Sequence, residues 1–235
     1  MEDIITLYED GASLLVMTTL SAGHMGKSSM PDMPARLKVF ETLGLDRGRV
    51  VFVHQKHTKD ILDAGTVAGM QTPPEADGTL TDDGSYVLGV TAADCMPIFL
   101  KDGRTGARAL LHSGWKGTGI ASRAVRLMAE NYGSRPEDLT AVLGPSIGSC
   151  CYDVDAERAA LFSSSFGPKA SLMRGGRHWL SLKDANSRLL TDAGVGRLIL
   201  SDRCTCCGGG FSSYRRQGPE DYSLMIVLSI EKDGR

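Results

Sequence analysis

The chain carries almost no net charge. Its 26 lysines and arginines stand against 28 aspartates and glutamates, a formal charge of −2 with a pI near 6.2. That balance gives no electrostatic reason to expect nucleic acid or an anionic membrane as a partner. Apolar runs are short, and none approaches the roughly 18 residues needed to span a bilayer. The opening MEDIITLYEDGA is acidic and lacks the charged-then-apolar layout of a secretory signal. Internal repeats, low-complexity tracts and long linkers are missing too. A disulfide framework is not in evidence either. Of six cysteines, Cys150 and Cys151 are adjacent, while Cys204, Cys206 and Cys207 crowd together. Such spacing suits a reducing compartment. These absences predict a cytoplasmic protein.

An apolar content of 42% over 235 residues is enough for a real core, and we expect one domain spanning residues 1–235. Strand-like runs occur at 12–20, 50–54, 86–92, 96–100, 107–112, 140–144, 177–182, 197–201 and 222–230. Several are continuously apolar, as in a sheet covered on both faces. Helical spacing appears at 35–43, 119–132, 155–163 and 183–193, with Gly133 as a stop for the second. Residues 21–34, rich in Gly, Ser, Met and Pro, read as a mobile loop. The expectation is an α/β fold with a mixed, largely buried β-sheet and flanking helices, without the strict β-α-β repeat of a Rossmann fold.

The chemistry gathers in TAADCMPIFLKDGRTGARALLHSGWKG at 91–117 and QKHT at 55–58. Cys95, His112 and His57 each stand where a strand gives way to a loop. Two nitrogens and one sulfur suit zinc, and three protein ligands leave a position open for water or substrate. A thiol beside a histidine can equally serve as a nucleophile. His54 competes with His57, and in an extended segment the two would point to opposite faces. After His112, Gly114 and Gly117 permit tight backbone ahead of the 119–132 helix. Its N-terminus, with Lys116, would welcome an anion such as phosphate. His24 and His178 read as surface or core-edge residues. Arg215 and Arg216 read as an anion site or as solvated charge. CTCC at 204–207 lacks a second C-x-x-C pair, so buried reduced thiols are expected there, and no metal at Cys150–Cys151.

The segments QKHTKDI, EADGTLTD, TAADCMPIFL, LHSGWKGT, VLGPSIGSCCYDV, DRCTCC and FSSYRRQG stand in an order that resembles the YfiH-like family. That family was labelled multicopper polyphenol oxidase or laccase-domain protein and is now described as purine nucleoside phosphorylase and adenosine deaminase. The resemblance runs from about residue 35 to the C-terminus. It implies a zinc site from His57, Cys95 and His112, with copper as the alternative metal. It also implies phosphorolysis of adenosine, inosine, guanosine or methylthioadenosine, deamination of adenosine, and Arg36 and Lys116 as phosphate-binding residues. The partners implied are nucleoside and phosphate, with a homodimer as an allowed assembly. Thr58 stands where the family usually has Gly, Ser113 for Ala, Lys116 for Arg and Ala35 for Asn. Lysine for arginine gives up bidentate anion recognition. Other members look like accessory factors that guard cell-wall peptide precursors, which leaves a precursor-editing or cysteine-hydrolase role as the alternative. A multicopper laccase would need more histidines than the five present.

Overall fold

Every residue of Met96–Asp102 is buried, and the strand it forms divides its side chains between two cores. Ile98 and Leu100 face one apolar cluster while Phe99 faces another, the period-two alternation of a pleated strand. This is β7 in a computed structural model that describes residues 2–30 and 32–232.

β7 lies inside a six-stranded sheet with the order β13 (Arg197–Leu200), β9 (Leu139–Leu143), β7, β8 (Arg108–Ser113), β5 (Gly78–Thr81), β4 (Ile61–Asp63). A five-stranded sheet has the order β1 (Ile4–Glu9), β2 (Ser13–Thr18), β14 (Met225–Glu231), β6 (Val87–Ala92), β3 (Val50–Val51). A small third sheet joins β10 (Asp153–Val154), β12 (Arg177–Leu180) and β11 (Ser171–Arg174). Both larger sheets are mixed. β13 runs parallel to β9, and β3 runs parallel to β6, within otherwise largely antiparallel ladders.

The described residues form six α-helices. They are α1 (Pro34–Thr42), α2 (Ala64–Val67), α3 (Ile120–Tyr132), α4 (Ala156–Phe166), α5 (Leu182–Asp192) and α6 (Tyr214–Gln217). α3 ends on Gly133 in the left-handed region at φ 64°, where glycine has no Cβ penalty.

Three apolar clusters give the layering. Leu88, Val90, Val227 and Met17 meet Phe99, Leu110 and Val142 between the two large sheets. The far face of the six-stranded sheet packs on Ile120, Ala124 and Met128 of α3 and Leu182 and Ala185 of α5. The far face of the five-stranded sheet, including Ile226 and Leu228, packs on Val39 and Phe40 of α1. The order is helix, sheet, sheet, helices.

The single sheet expected from the sequence is therefore three. A continuously apolar strand only says that both faces are covered. Helices on both sides and a second sheet on one side produce the same pattern. Short strands β4, β5, β10 and β11 lie below the length at which periodicity speaks, and β1 is only half buried. The 50–54 run extends as a strand only over Val50–Val51.

Candidate active site

The loops that follow β6, β8 and β3 converge at one end of the two large sheets. Cys95 sits in the turn between β6 and β7, after Asp94 in the left-handed region at φ 77°. His112 is the penultimate residue of β8 and lies opposite Pro97 in the ladder. His57 comes from the 54–58 loop, again with positive φ, at 60°. One ligand atom of each of these three residues lies within 4.8 Å of the other two. Cys95 Sγ is 3.8 Å from His57 Nε2, and the imidazole rings meet edge to face at 4.9 Å. His112 is buried, Cys95 half-buried and His57 exposed, so the cluster forms the floor of an open site.

Asp77, immediately before β5, organises that floor. Its Oδ1 is 2.8 Å from His112 Nδ1 and accepts the His57 N–H at 3.0 Å. Its Oδ2 accepts the N–H groups of Lys56 and Thr58 and the Thr58 hydroxyl. Orphaned donors of the turn are thus satisfied by one carboxylate, which pays for the unfavourable φ of His57. With Nδ1 held by Asp77, His112 turns Nε2 toward Cys95, the arrangement by which carboxylates orient metal-binding histidines.

The electrostatics follow from this packing. Burial opposes ionisation of Cys95, but the charge of His112 and hydrogen bonds from His112 and His57 outweigh it and bring the thiol down to about 6. Burial likewise opposes charge on His112, and the Cys95 thiolate with Asp77 outweighs it, raising the imidazole to about 10. For Asp77 burial is outweighed by His112 and the Thr58 N–H, leaving the carboxyl at about 2. Without a metal, the floor is a thiolate–imidazolium pair oriented by a carboxylate.

Gly114 permits the close approach. A Cβ there would lie 2.8 Å from Cys95 Sγ and 3.2 Å from His57 Cδ2. Above the floor opens a cavity of ≈ 690 Å³. Its basic lining residues are Lys27, Lys56, Lys116, Arg158 and Arg215, and Trp115, Tyr152, Tyr214 and Tyr222 offer aromatic faces. Arg158 stacks over Trp115 at 4.7 Å, with Lys116 5.5 Å from the same ring. The carboxylate among the lining residues, Asp94, is occupied by Thr205, Ser213 and the Arg215 N–H. Lys56 is paired with Glu75 and Arg215 with Asp153.

Several sequence expectations take a different form. Arg36 is not brought to the cavity. It is fully buried, stacked on Phe52 at 4.4 Å, and donates to the carbonyls of Met25, Gly26 and Lys27. A guanidinium so occupied holds the 25–27 loop and with it Lys27 and Ser28 of the cavity wall. The 21–34 segment is correspondingly anchored, with Met25 fully buried. The N-terminus of α3 is absent from the lining, since Gly117 packs toward the Thr58 carbonyl and Gly119 toward Lys59. His54 and His57 do not alternate across a strand. The chain turns between them, and both line the cavity, with His54 outside the three-residue cluster. Arg215 reaches the cavity while Arg216 is spent on the carbonyls of Thr205, Cys206 and Phe211.

The cysteine-rich segments also differ from buried, separate thiols. Cys150 and Cys207 are exposed, and the ligand atoms of Cys150, Cys151, Cys204 and Cys207 lie within 4.8 Å of one another. The second cysteine pair missing from CTCC in sequence is supplied in space by Cys150 and Cys151.

Asp77, Lys27, Ser28, Tyr152 and Arg158 carried no role in the sequence reading. The signal for Asp77 was available: a metal-type histidine calls for a carboxylate on its second nitrogen, and EADG precedes a strand beside β8.

A sulfur and two imidazoles thus lie beneath a basic, aromatic cavity, on stacked mixed sheets between helices. The sequence matches, over residues 16–227, the family described as multi-copper polyphenol oxidoreductase laccase. The chain belongs to that family. It is 32% identical over 229 residues to purine nucleoside phosphorylase YlmD of Geobacillus stearothermophilus, covering 90% of this chain and 84% of that protein. It is 37% identical over 160 residues to a purine nucleoside phosphorylase of Deinococcus radiodurans, covering 67% and 62%. The crystal structure of the Geobacillus YlmD superposes with a TM-score of 0.82 at 28% identity, over 94% of this chain and 92% of that one.

Proposed function

We propose that the chain is a purine nucleoside phosphorylase that also deaminates adenosine, with zinc held by His57, Cys95 and His112. The observation that carries this is the convergence of those three side chains beneath a cavity ringed by cations, supported by the names of its relatives. The donor set fits zinc: two imidazole nitrogens and one low-lying thiolate, with space above for a fourth ligand. A zinc ion bound there would supply a Lewis acid able to lower the pKa of a bound water from 15.7 to about 7, the chemistry deamination at adenine C6 requires.

The protein's own groups do the rest. Asp77 holds His112 and the His57 turn in place, so that the ligands are preorganised. Lys116 and Lys27, which have no carboxylate ion-pair partner among the described residues, are the cations available to a phosphate. The neighbouring Lys56 and Arg215 are already paired. Trp115, Tyr152 and the Tyr214–Tyr222 pair give the purine apolar faces. In phosphorolysis a phosphate oxygen bonds to ribose C1′ as the bond to the purine nitrogen breaks, and the base leaves with a proton. We read the chain as one domain, because each large sheet is sandwiched into clusters shared with its neighbours, and as cytoplasmic, because the crowded cysteine spacing suits a reducing compartment.

A second reading has its own observation. Thiolate, imidazolium and carboxylate follow one another from Cys95 through His112 to Asp77, the order of a cysteine-hydrolase triad. A precursor-editing hydrolase would use that order without metal. Of the five histidines only His57 and His112 join the cluster, too few for a multicopper oxidase.

Product analysis with adenosine, with and without phosphate, separates the readings. Adenine with phosphate and inosine without it, both lost in Cys95→Ala and after chelation, are expected. Activity on acyl or peptide substrates that survives chelation and is lost on thiol alkylation would replace the nucleoside reading with the hydrolase.

A further inference from the structure

We propose that Cys150, Cys151, Cys204 and Cys207 form a second, structural zinc site that staples two loops behind the cavity. The proposal is independent of which reaction the cavity performs.

The two halves come from adjacent parallel strands. Cys150 and Cys151 follow β9, Cys204 and Cys207 follow β13, and β9 and β13 pair in register. The pairing continues past the strands through a bridge between Ser146 and Cys204 and the Thr205 N–H to the Ser146 carbonyl at 3.0 Å. Both cysteine pairs are therefore delivered to one place by the sheet itself.

The four ligand atoms fall within 4.8 Å of one another, and Cys150 Sγ and Cys207 Sγ are 3.5 Å apart. Zinc–sulfur bonds of about 2.3 Å in a tetrahedron put sulfurs about 3.8 Å apart, inside that range. Small side-chain adjustments would close the site. All-sulfur donors select zinc over the hard cations magnesium and calcium.

The local backbone is built for a sulfur-bound ion. The turn reads Cys204-Thr205-Cys206-Cys207-Gly208, and the Gly208 N–H donates to the Cys204 carbonyl at 2.8 Å. A Cβ on Gly208 would stand 2.3 Å from that carbonyl oxygen, so only glycine closes the turn. The Gly148 N–H donates to Cys204 Sγ at 3.2 Å, an interaction that favours thiolate. Four thiolates around one divalent ion leave excess negative charge. Arg174, Arg215 and Arg216 are at hand, donating to the carbonyls of Ser149, Cys151, Thr205 and Cys206 within the same two loops.

The position gives the site its purpose. Thr205 Oγ1 donates to Asp94 Oδ1 at 2.6 Å, and Asp94 directly precedes Cys95. Tyr152, next to Cys151, lines the cavity. An ion at the four sulfurs would fix both the back of the Cys95 turn and one cavity wall.

The test is zinc stoichiometry on the full chain purified under reducing conditions, read with thiol counting. Wild type should bind two zinc ions and leave one of its six thiols, Cys206, open to a thiol reagent until chelator is added. A His57→Ala/His112→Ala variant should keep one zinc and expose Cys95 as well. That result holds whether or not the nucleoside reading survives. Cobalt substitution of the same variant should give the intense charge-transfer bands of a four-thiolate centre. A Cys204→Ser/Cys207→Ser variant should lose one zinc, and the cobalt spectrum guards against its failure to fold. Loss of all zinc in the histidine variant overturns the proposal. So does peptide mapping that finds a Cys150–Cys207 disulfide in wild type in place of metal.

Discussion

Asp77 Oδ1 stands 2.8 Å from Nδ1 of His112, and the same oxygen accepts the backbone N–H of His57. One carboxylate thus sets the orientation of one candidate ligand and the backbone of the other. Its loss should be felt by metal before it is felt by substrate. We expect Asp77→Asn to weaken zinc 10–100-fold, the usual effect of removing a carboxylate behind a metal-bound histidine. Competition against a chromophoric chelator measures this, and an unchanged affinity would show that the histidines are held by packing alone.

The same aspartate makes an acid-stability prediction. An unfolded aspartate titrates near 3.9, whereas folded Asp77 is held at about 2. Its contribution is therefore fully present above about pH 4 and lost as pH falls toward 2, amounting to roughly 2.6 kcal/mol. Urea unfolding midpoints across that window should fall less steeply in Asp77→Asn than in wild type.

Metal binding should tighten with pH. At neutral pH the metal-free site holds Cys95 as thiolate, at about 6, and His112 as imidazolium, at about 10. A ligating imidazole must be neutral, so zinc has to displace the His112 proton. Affinity should rise from pH 7 toward 10. Calorimetry in buffers of different ionisation enthalpy should find about one proton released per zinc at this site, measured in a variant lacking Cys204 and Cys207. Proton-free binding would mean that His112 is neutral beforehand.

Lys116→Ala should raise the KM for phosphate and spare deamination, because only the former reaction uses the anion. One lost charge-assisted contact costs roughly 1.5–3 kcal/mol. Equal loss in both reactions would make Lys116 a support for Trp115, over whose ring it lies. Lys116→Arg should retain phosphate binding.

Arg36→Met should behave differently from any phosphate ligand. It removes three donations to the 25–27 carbonyls from a fully buried position, costing about 3 kcal/mol of stability. Thermal unfolding should register the change. A selective rise in phosphate KM with unchanged stability would return Arg36 to the cavity.

Much of this protein was legible before folding was considered. Gly133 and the spacing of Ile120, Ala124 and Met128 are local signals, and α3 follows from them. The alternation of Ile98, Phe99 and Leu100 determines that β7 is covered on both sides, because side chains on a strand have nowhere else to go. The strand-end positions of Cys95 and His112, with their family pattern, pointed to the cluster that they form with His57. What the sequence could not decide was which surfaces meet. Whether β7's second face met helices or another sheet depends on long-range pairing with Val90 and Val227. The choice of His57 by geometry required the turn that Asp77 closes from some twenty residues away. Arg36 looked like an anion ligand because guanidinium chemistry is the same on a surface and in a core; only packing shows that its Nε and Nη2 donate to carbonyls while its buried Nη1 has no partner among the described residues. Cys150–Cys151 and Cys204–Cys207 are unremarkable as separate segments. They become one four-sulfur cluster solely because β9 and β13 lie side by side, and a parallel pairing between strands so far apart in the chain is written in no local spacing.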